Sequence, residues 1–87
     1  MSEESAIKFP CSFPIKLMGR DTAEFRSTAR AIVEKHAGVV DDEAVQAALS
    51  RNGNFVSVTV TIVATSQEQL DKIYHDATAH DDVLMAL

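Results

Sequence analysis

The chain is poor in cysteine, proline, glycine and aromatics: one Cys, two Pro, three Gly, one Tyr, four Phe and no Trp in 87 residues. Cys11 alone cannot form an internal disulfide, which excludes the small secreted folds stapled by several bridges and fits a reducing compartment. No apolar run approaches the roughly 20 residues that span a bilayer. The start Met1-Ser2-Glu3-Glu4-Ser5 is acidic and polar, unlike a signal peptide, so a cytoplasmic protein with no membrane contact is expected. Positive charge is also scarce. A net charge of -5 and a pI of about 4.9 argue against general nucleic-acid binding. The glycines stand apart from one another, so no phosphate-cradling loop is present.

A hydrophobic fraction of 46% is ordinary for a folded domain. Residues 9–87 read as a single domain, preceded by a loose tail over residues 1–8. Charge is unevenly placed. Lys16, Arg20, Arg26, Arg30 and Lys35 outnumber Asp21, Glu24 and Glu34 within residues 16–35, a local excess of +2 that leaves the rest at -7. The favoured reading of that asymmetry is a solvated helix face with an Arg30–Glu34 pair at helical spacing.

Phe9-Pro10 and Phe13-Pro14 fix an extended entry, because each proline restrains itself and the residue before it. Phe13, Ile15 and Leu17 alternate with Pro14, Lys16 and Met18, predicting a half-buried strand that Gly19 ends. Asp21 with Glu24 three positions on predicts a helix start capped by Asp21. Phe25, Ala29, Ile32, Val33 and His36 make its apolar stripe, and Gly38 stops it. Propensity allows a short helix over Asp41–Arg51, but register favours a hairpin. With Asn52-Gly53 as a two-residue turn, Leu49 faces Val56, Ala47 faces Val58 and Val45 faces Val60, so both arms put apolar residues on one face. Ser66 and Gln69 read as a capping box, Leu70, Ile73, Tyr74 and Ala77 as a second helical stripe, and Val83–Leu87 as a terminal strand. The order predicts an α+β, ferredoxin-like βαββαβ sandwich, a four-stranded antiparallel sheet with two helices on its valine face.

No catalytic constellation assembles. Cys11 has no activating histidine in view and reads as a structural or partly exposed thiol. His75 and His80 are five apart and point to different helix faces, so with Asp76, Asp81 and Asp82 they make no dedicated metal site. No metal and no cofactor are expected. The RNA-recognition fold shares this topology, but Gly53 and Val58 stand where its third-strand motif needs aromatics, and Phe55 alone stacks weakly.

The runs Phe9–Gly19, Asn52-Gly53-Asn54-Phe55 with the Ser57/Thr59 strand, and Ser66–Asp71 with Ile73-Tyr74 together resemble the YbeD-like family of small bacterial proteins. The resemblance spans nearly everything from Phe9 onward. It implies a ferredoxin-like fold similar to ACT-type regulatory domains, a gene setting near lipoate-attachment genes, no established biochemical activity, and no catalytic residues to transfer.

A non-catalytic regulatory or protein-interaction module is therefore the leading expectation. Its face would be Lys16, Met18, Phe55, Ser57, Thr59 and Thr61 on the open side of the sheet, with a protein partner or homodimer formed through that face or an edge strand. The alternative is an ACT-like sensor holding a small carboxylate or amino acid at Gly19, Arg20 and Asp21, where a helix start, a backbone without a side chain and a guanidinium meet. RNA binding ranks below both.

Overall fold

The structure, a computed structural model, describes residues 8–87. Apart from Lys8, the tail expected over residues 1–8 lies outside the described residues. The elements are β1 (Cys11–Arg20), α1 (Ala23–Ala37), a 3₁₀ turn (Asp42–Ala44), β2 (Val45–Leu49), β3 (Phe55–Ala64), α2 (Gln67–Ala79) and β4 (Met85–Ala86). The strands lie in the order β2-β3-β1-β4, and every neighbouring pair is antiparallel. Each helical crossover skips a position that another strand fills, so the sheet is the ferredoxin-like one predicted.

The hairpin keeps the predicted register, with Val45 on Val60, Ala47 on Val58 and Leu49 on Val56. Its turn differs. Ser50 and Phe55 close the ladder through Ser50 N–H to Phe55 C=O at 2.8 Å, leaving Arg51–Asn54 as the loop. Within it Gly53 N–H donates to Ser50 C=O at 3.0 Å, and Gly53 takes a φ of 75° that only glycine adopts cheaply. The Ser50 hydroxyl accepts from Phe55 N–H at 3.2 Å. That side-chain bond replaces the second ladder bond and favours the wider loop over a two-residue turn.

β1 also runs further than expected. Gly19 does not end it; pairing with β3 continues through Gly19–Val56 and Arg20–Phe55, and Asp21 N–H still donates to Asn54 C=O at 3.0 Å. Non-local pairing overrides the glycine. The cap moves accordingly. Thr22, not Asp21, is the N-cap of α1, its hydroxyl accepting from Phe25 N–H at 3.0 Å. Asp21 is bonded instead to Arg26 at 2.9 Å. In α2, Ser66 caps as predicted by accepting from Gln69 N–H at 3.0 Å. The return bond from the Gln69 side chain goes to Thr65 N–H at 2.8 Å, and its amide donates to His36 C=O at 3.1 Å, tying the helices together.

The helices cover the valine face. Phe25, Ala29, Ile32 and Val33 of α1 and Leu70, Ile73 and Ala77 of α2 close over Ile15, Leu17, Val56, Val58, Val60, Ile62 and Ala64. Each large side chain buried there contributes roughly 1.5–3 kcal/mol. The cover stops short of β2, whose Leu49 remains 56% exposed although it shares the valine face. Arg30 pins the chain between α1 and β2, reaching Asp42 at 2.7 Å, Glu34 at 3.3 Å and the carbonyl of Val40. Glu34 also accepts from Val40 N–H at 2.9 Å, and this bond, with Arg30 beside it, holds its carboxyl below the ordinary range. Asp42 first and Glu34 second push the Arg30 guanidinium still higher.

Candidate interaction face and strand-helix junction

Period two along the strands sends one set of side chains to the face away from the helices. Lys16, Met18, Phe55, Ser57, Thr59 and Thr61 all fall there, as the alternation predicted. Register fixes their neighbours: Met18 stands between Ser57 of β3 and Met85 of β4, and Lys16 lies beside Thr59. Lys16 and Leu87 exchange backbone bonds of 3.1 and 2.8 Å, which sets Leu87 on the far side of Lys16. The Arg20 guanidinium lies over the Phe55 ring at 5.6 Å from its centroid. Val63 and Met85, both more than half exposed, extend the apolar part of this face.

The charged side chains on this face have one sign. Lys16 and Arg20 are cationic, and the other side chains that β1, β2, β3 and β4 turn to this side, including Gln46 and Ala48, are uncharged. Among the described residues of this acidic chain the carboxylate side chains are therefore gathered on the helices and turns. Alternation along β3 also sets Val63 on this side, whereas sequence reasoning missed Met85 and Leu87, because only the pairing with β1 shows which way they point.

The junction expected to hold a small ligand is built differently. A cleft of about 380 Å³ does lie there, lined by Arg20, Thr22, Glu24, Phe25, Asp81, Asp82 and Leu84. Of the three predicted residues only Arg20 reaches it. Gly19 is buried, and a Cβ on it would meet Asp82 O and the Phe25 ring at 2.5 Å, so the space beside its backbone is already filled. Asp21 is held by Arg26, and Thr22 satisfies the Phe25 N–H. Three acidic residues, Glu24, Asp81 and Asp82, line the cleft against the single cation Arg20, a charge balance unfavourable to a simple carboxylate.

On the helix layer Asp76 accepts from His36 at 2.6 Å and pairs with Lys35 at 3.4 Å, joining α1 to α2. The His36 bond foremost, with Lys35 adding, lowers the Asp76 carboxyl below its ordinary value. A hollow of about 450 Å³ beside it is lined by Thr28, Ala31, Ile32, Lys35, Asp76, Ala79 and His80. Cys11 is a half-buried free thiol packed against the core. Among the described residues no three His, Cys, Asp or Glu side chains converge as a metal set, and no helix is long and apolar enough to cross a membrane.

With that geometry in place, comparison with known proteins bears on identity. The family described as Protein of unknown function (DUF493) matches residues 4–87. The chain belongs to this family. Relatives in the family include the UPF0250 protein NE1487 of Nitrosomonas europaea, 44% identical over 87 residues and covering all of both chains. The UPF0250 protein of Chromobacterium violaceum is 42% identical over 89 residues, again covering all of both. The solution structure of HP0495 from H. pylori is similar at a TM-score of 0.75, covering 94% of this chain and 86% of that one. At 18% identity that likeness speaks for the fold alone, and it agrees with the ferredoxin-like arrangement. The family assignment agrees with the YbeD-like resemblance and brings no assigned activity with it.

Proposed function

We propose that the chain is a non-catalytic protein-interaction module whose open sheet face binds an acidic protein partner. One observation carries this reading: in an acidic protein, the uncovered face combines Lys16 and Arg20 with Met18, Phe55, Val63 and Met85, and its strands turn no acidic side chain outward. Apolar side chains at such a face supply burial on association, with Met, Arg and aromatics the types favoured at interfaces. The two cations select the partner's sign and steer its approach.

The test is charge reversal. Lys16→Glu combined with Arg20→Glu leaves the core untouched and is expected to slow association with a captured acidic partner about tenfold. Unchanged binding by a folded double variant contradicts the proposal. A small carboxylate or amino-acid ligand at Arg20 is the weaker reading, since Glu24, Asp81 and Asp82 share its cleft. A thermal-shift screen with amino acids and carboxylic acids separates the two, because a ligand of the native state raises the midpoint. Stabilisation that Arg20→Ala abolishes would put the sensor in place of the interaction module.

A further inference from the structure

Along β1 the open face carries Lys16, Met18 and Arg20 at successive outward positions, and the strand registers extend each into a row across the sheet. Lys16 lies between Leu87 and Thr59, with Gln46 beyond. Met18 lies between Met85 and Ser57, with Ala48 beyond, and Arg20 stands beside Phe55. Rows two residues apart along a strand are spaced about 6.6 Å, so cation, apolar side chain and cation follow one another over about 13 Å. Neither Lys16 nor Arg20 has an ion-pair partner among the described residues. Beside Lys16 a shallow hollow of about 170 Å³ is lined by Lys16, Gln46, Ala47, Ala48, Ser57 and Thr59. Among the described residues the polar side chains of this hollow have no hydrogen-bond partner of their own.

We propose that the segment of the acidic partner seated on this face is an amphipathic α-helix laid along β1, with two acidic side chains two turns apart and an apolar pair between them. The proposal rests on the acidic-partner reading above and adds the form that partner takes. The sheet's backbone bonds lie in its own plane, so the face offers side chains only. An extended segment pressed onto it buries its own N–H and C=O groups unpaired, at about 1–3 kcal/mol each, whereas a helix arrives with those groups bonded. The spacing fits as well, since seven or eight helical residues span about 10.5–12 Å. One acid meets Lys16 and enters the hollow beside it, where the hydroxyls of Ser57 and Thr59 donate to its carboxylate. The other meets Arg20, whose guanidinium already lies over Phe55, and the apolar pair covers Met18 and Met85. The valine face of the same sheet is covered in this manner, by helices.

The probe is a capped peptide of about 15 residues, alanine and glutamine apart from two glutamates seven positions apart and leucines three and four positions after the first. It is titrated into the full chain and followed by backbone amide shifts and circular dichroism. A second peptide of the same composition sets the glutamates and leucines on opposite sides of the helix, and a third carries proline at its centre, which breaks the helix. The first is expected to bind with a Kd on the order of 10⁻⁴ M, to gain helix, and to move the amides of residues 16–20, 46–48, 55–59 and 85–87. The other two should bind at least about tenfold more weakly. Lys16→Glu and Arg20→Glu should each weaken the first peptide about tenfold, while Lys72→Glu, an equal change of net charge on α2, should leave it within about twofold. Equal binding of all three peptides overturns the helix and leaves the acidic partner standing. No binding of the first peptide overturns the helix alone, because capture of the native partner and its loss on charge reversal are read separately. Binding of the first peptide that survives both reversals in folded variants overturns the helix and the acidic-partner reading together.

Discussion

Replacing Gly19 by alanine tests how the strand-helix junction is held. The backbone there is not in the left-handed region, so the need for glycine is one of space alone. A Cβ would stand 2.5 Å from Asp82 O and 2.5 and 2.8 Å from two Phe25 ring carbons, roughly 1 Å inside ordinary contact. Phe25 is 1% exposed and cannot swing clear, and the Asp82 oxygen is backbone. Overpacking of this kind costs about 1–3 kcal/mol. With two contacts violated we expect the upper half, about 2–3 kcal/mol, which in a domain of this size lowers Tm by roughly 10–20 °C. Urea unfolding followed by circular dichroism gives the number, at an unchanged m-value. Phe25→Leu should relieve part of the clash, so the cost of Gly19→Ala should be smaller in that background. A loss under about 0.5 kcal/mol in the wild-type background, the range of a neutral surface change, would refute the packing role and reopen the junction as a ligand site.

Other expectations follow from the caps, the helix pair and the uneven cover of the sheet. Thr22→Ala should cost about 1 kcal/mol in the same assay and Asp21→Ala much less, because the hydroxyl is the cap. Reversed values would return that role to Asp21. The carboxyls of Glu34 and Asp76 lie lower in the folded chain than in the unfolded one, so their contribution is full above the ordinary carboxylate range and disappears as pH falls through the lowered values. The denaturation midpoint should therefore be flat above about pH 5 and drop below about pH 4, less steeply in Asp76→Asn. An unchanged acid limb in that variant contradicts the His36–Asp76 bond. Ile73→Ala should cost about 2–4 kcal/mol and Leu49→Ala under 1, since only the first is covered by the helices.

Short-range periodicity carried most of the architecture. The hairpin register could be read because a slip of one residue would have sent every apolar side chain of Val45–Leu49 to the wrong face. The turn could not, because the Ser50 hydroxyl competes for Phe55 N–H through a bond that no residue pattern announces. Asp21 and Thr22 are consecutive cap-forming residues, and the choice was made elsewhere, by Asn54 extending the ladder to Asp21. Gly19 looked like a strand end for the same reason: its partner Val56 is far away in sequence. The His36–Asp76 contact joins residues 40 apart and leaves no local mark. The six face residues and Val63 were legible from alternation, whereas Met85 and Leu87 were placed only by pairing with β1.

Site-directed photo-crosslinking tests the proposed open face most directly. A crosslinking side chain replaces Ser57, at the middle of the face, and in a control replaces Ser27, exposed on α1. The account predicts that position 57 traps an acidic protein from a bacterial extract while position 27 does not. The peptides joined should map to Lys16, Met18 and their neighbours, and the adduct should be lost when Lys16 and Arg20 are reversed to Glu. Equal capture from both positions, or an adduct at position 57 that survives the charge reversal, would contradict it.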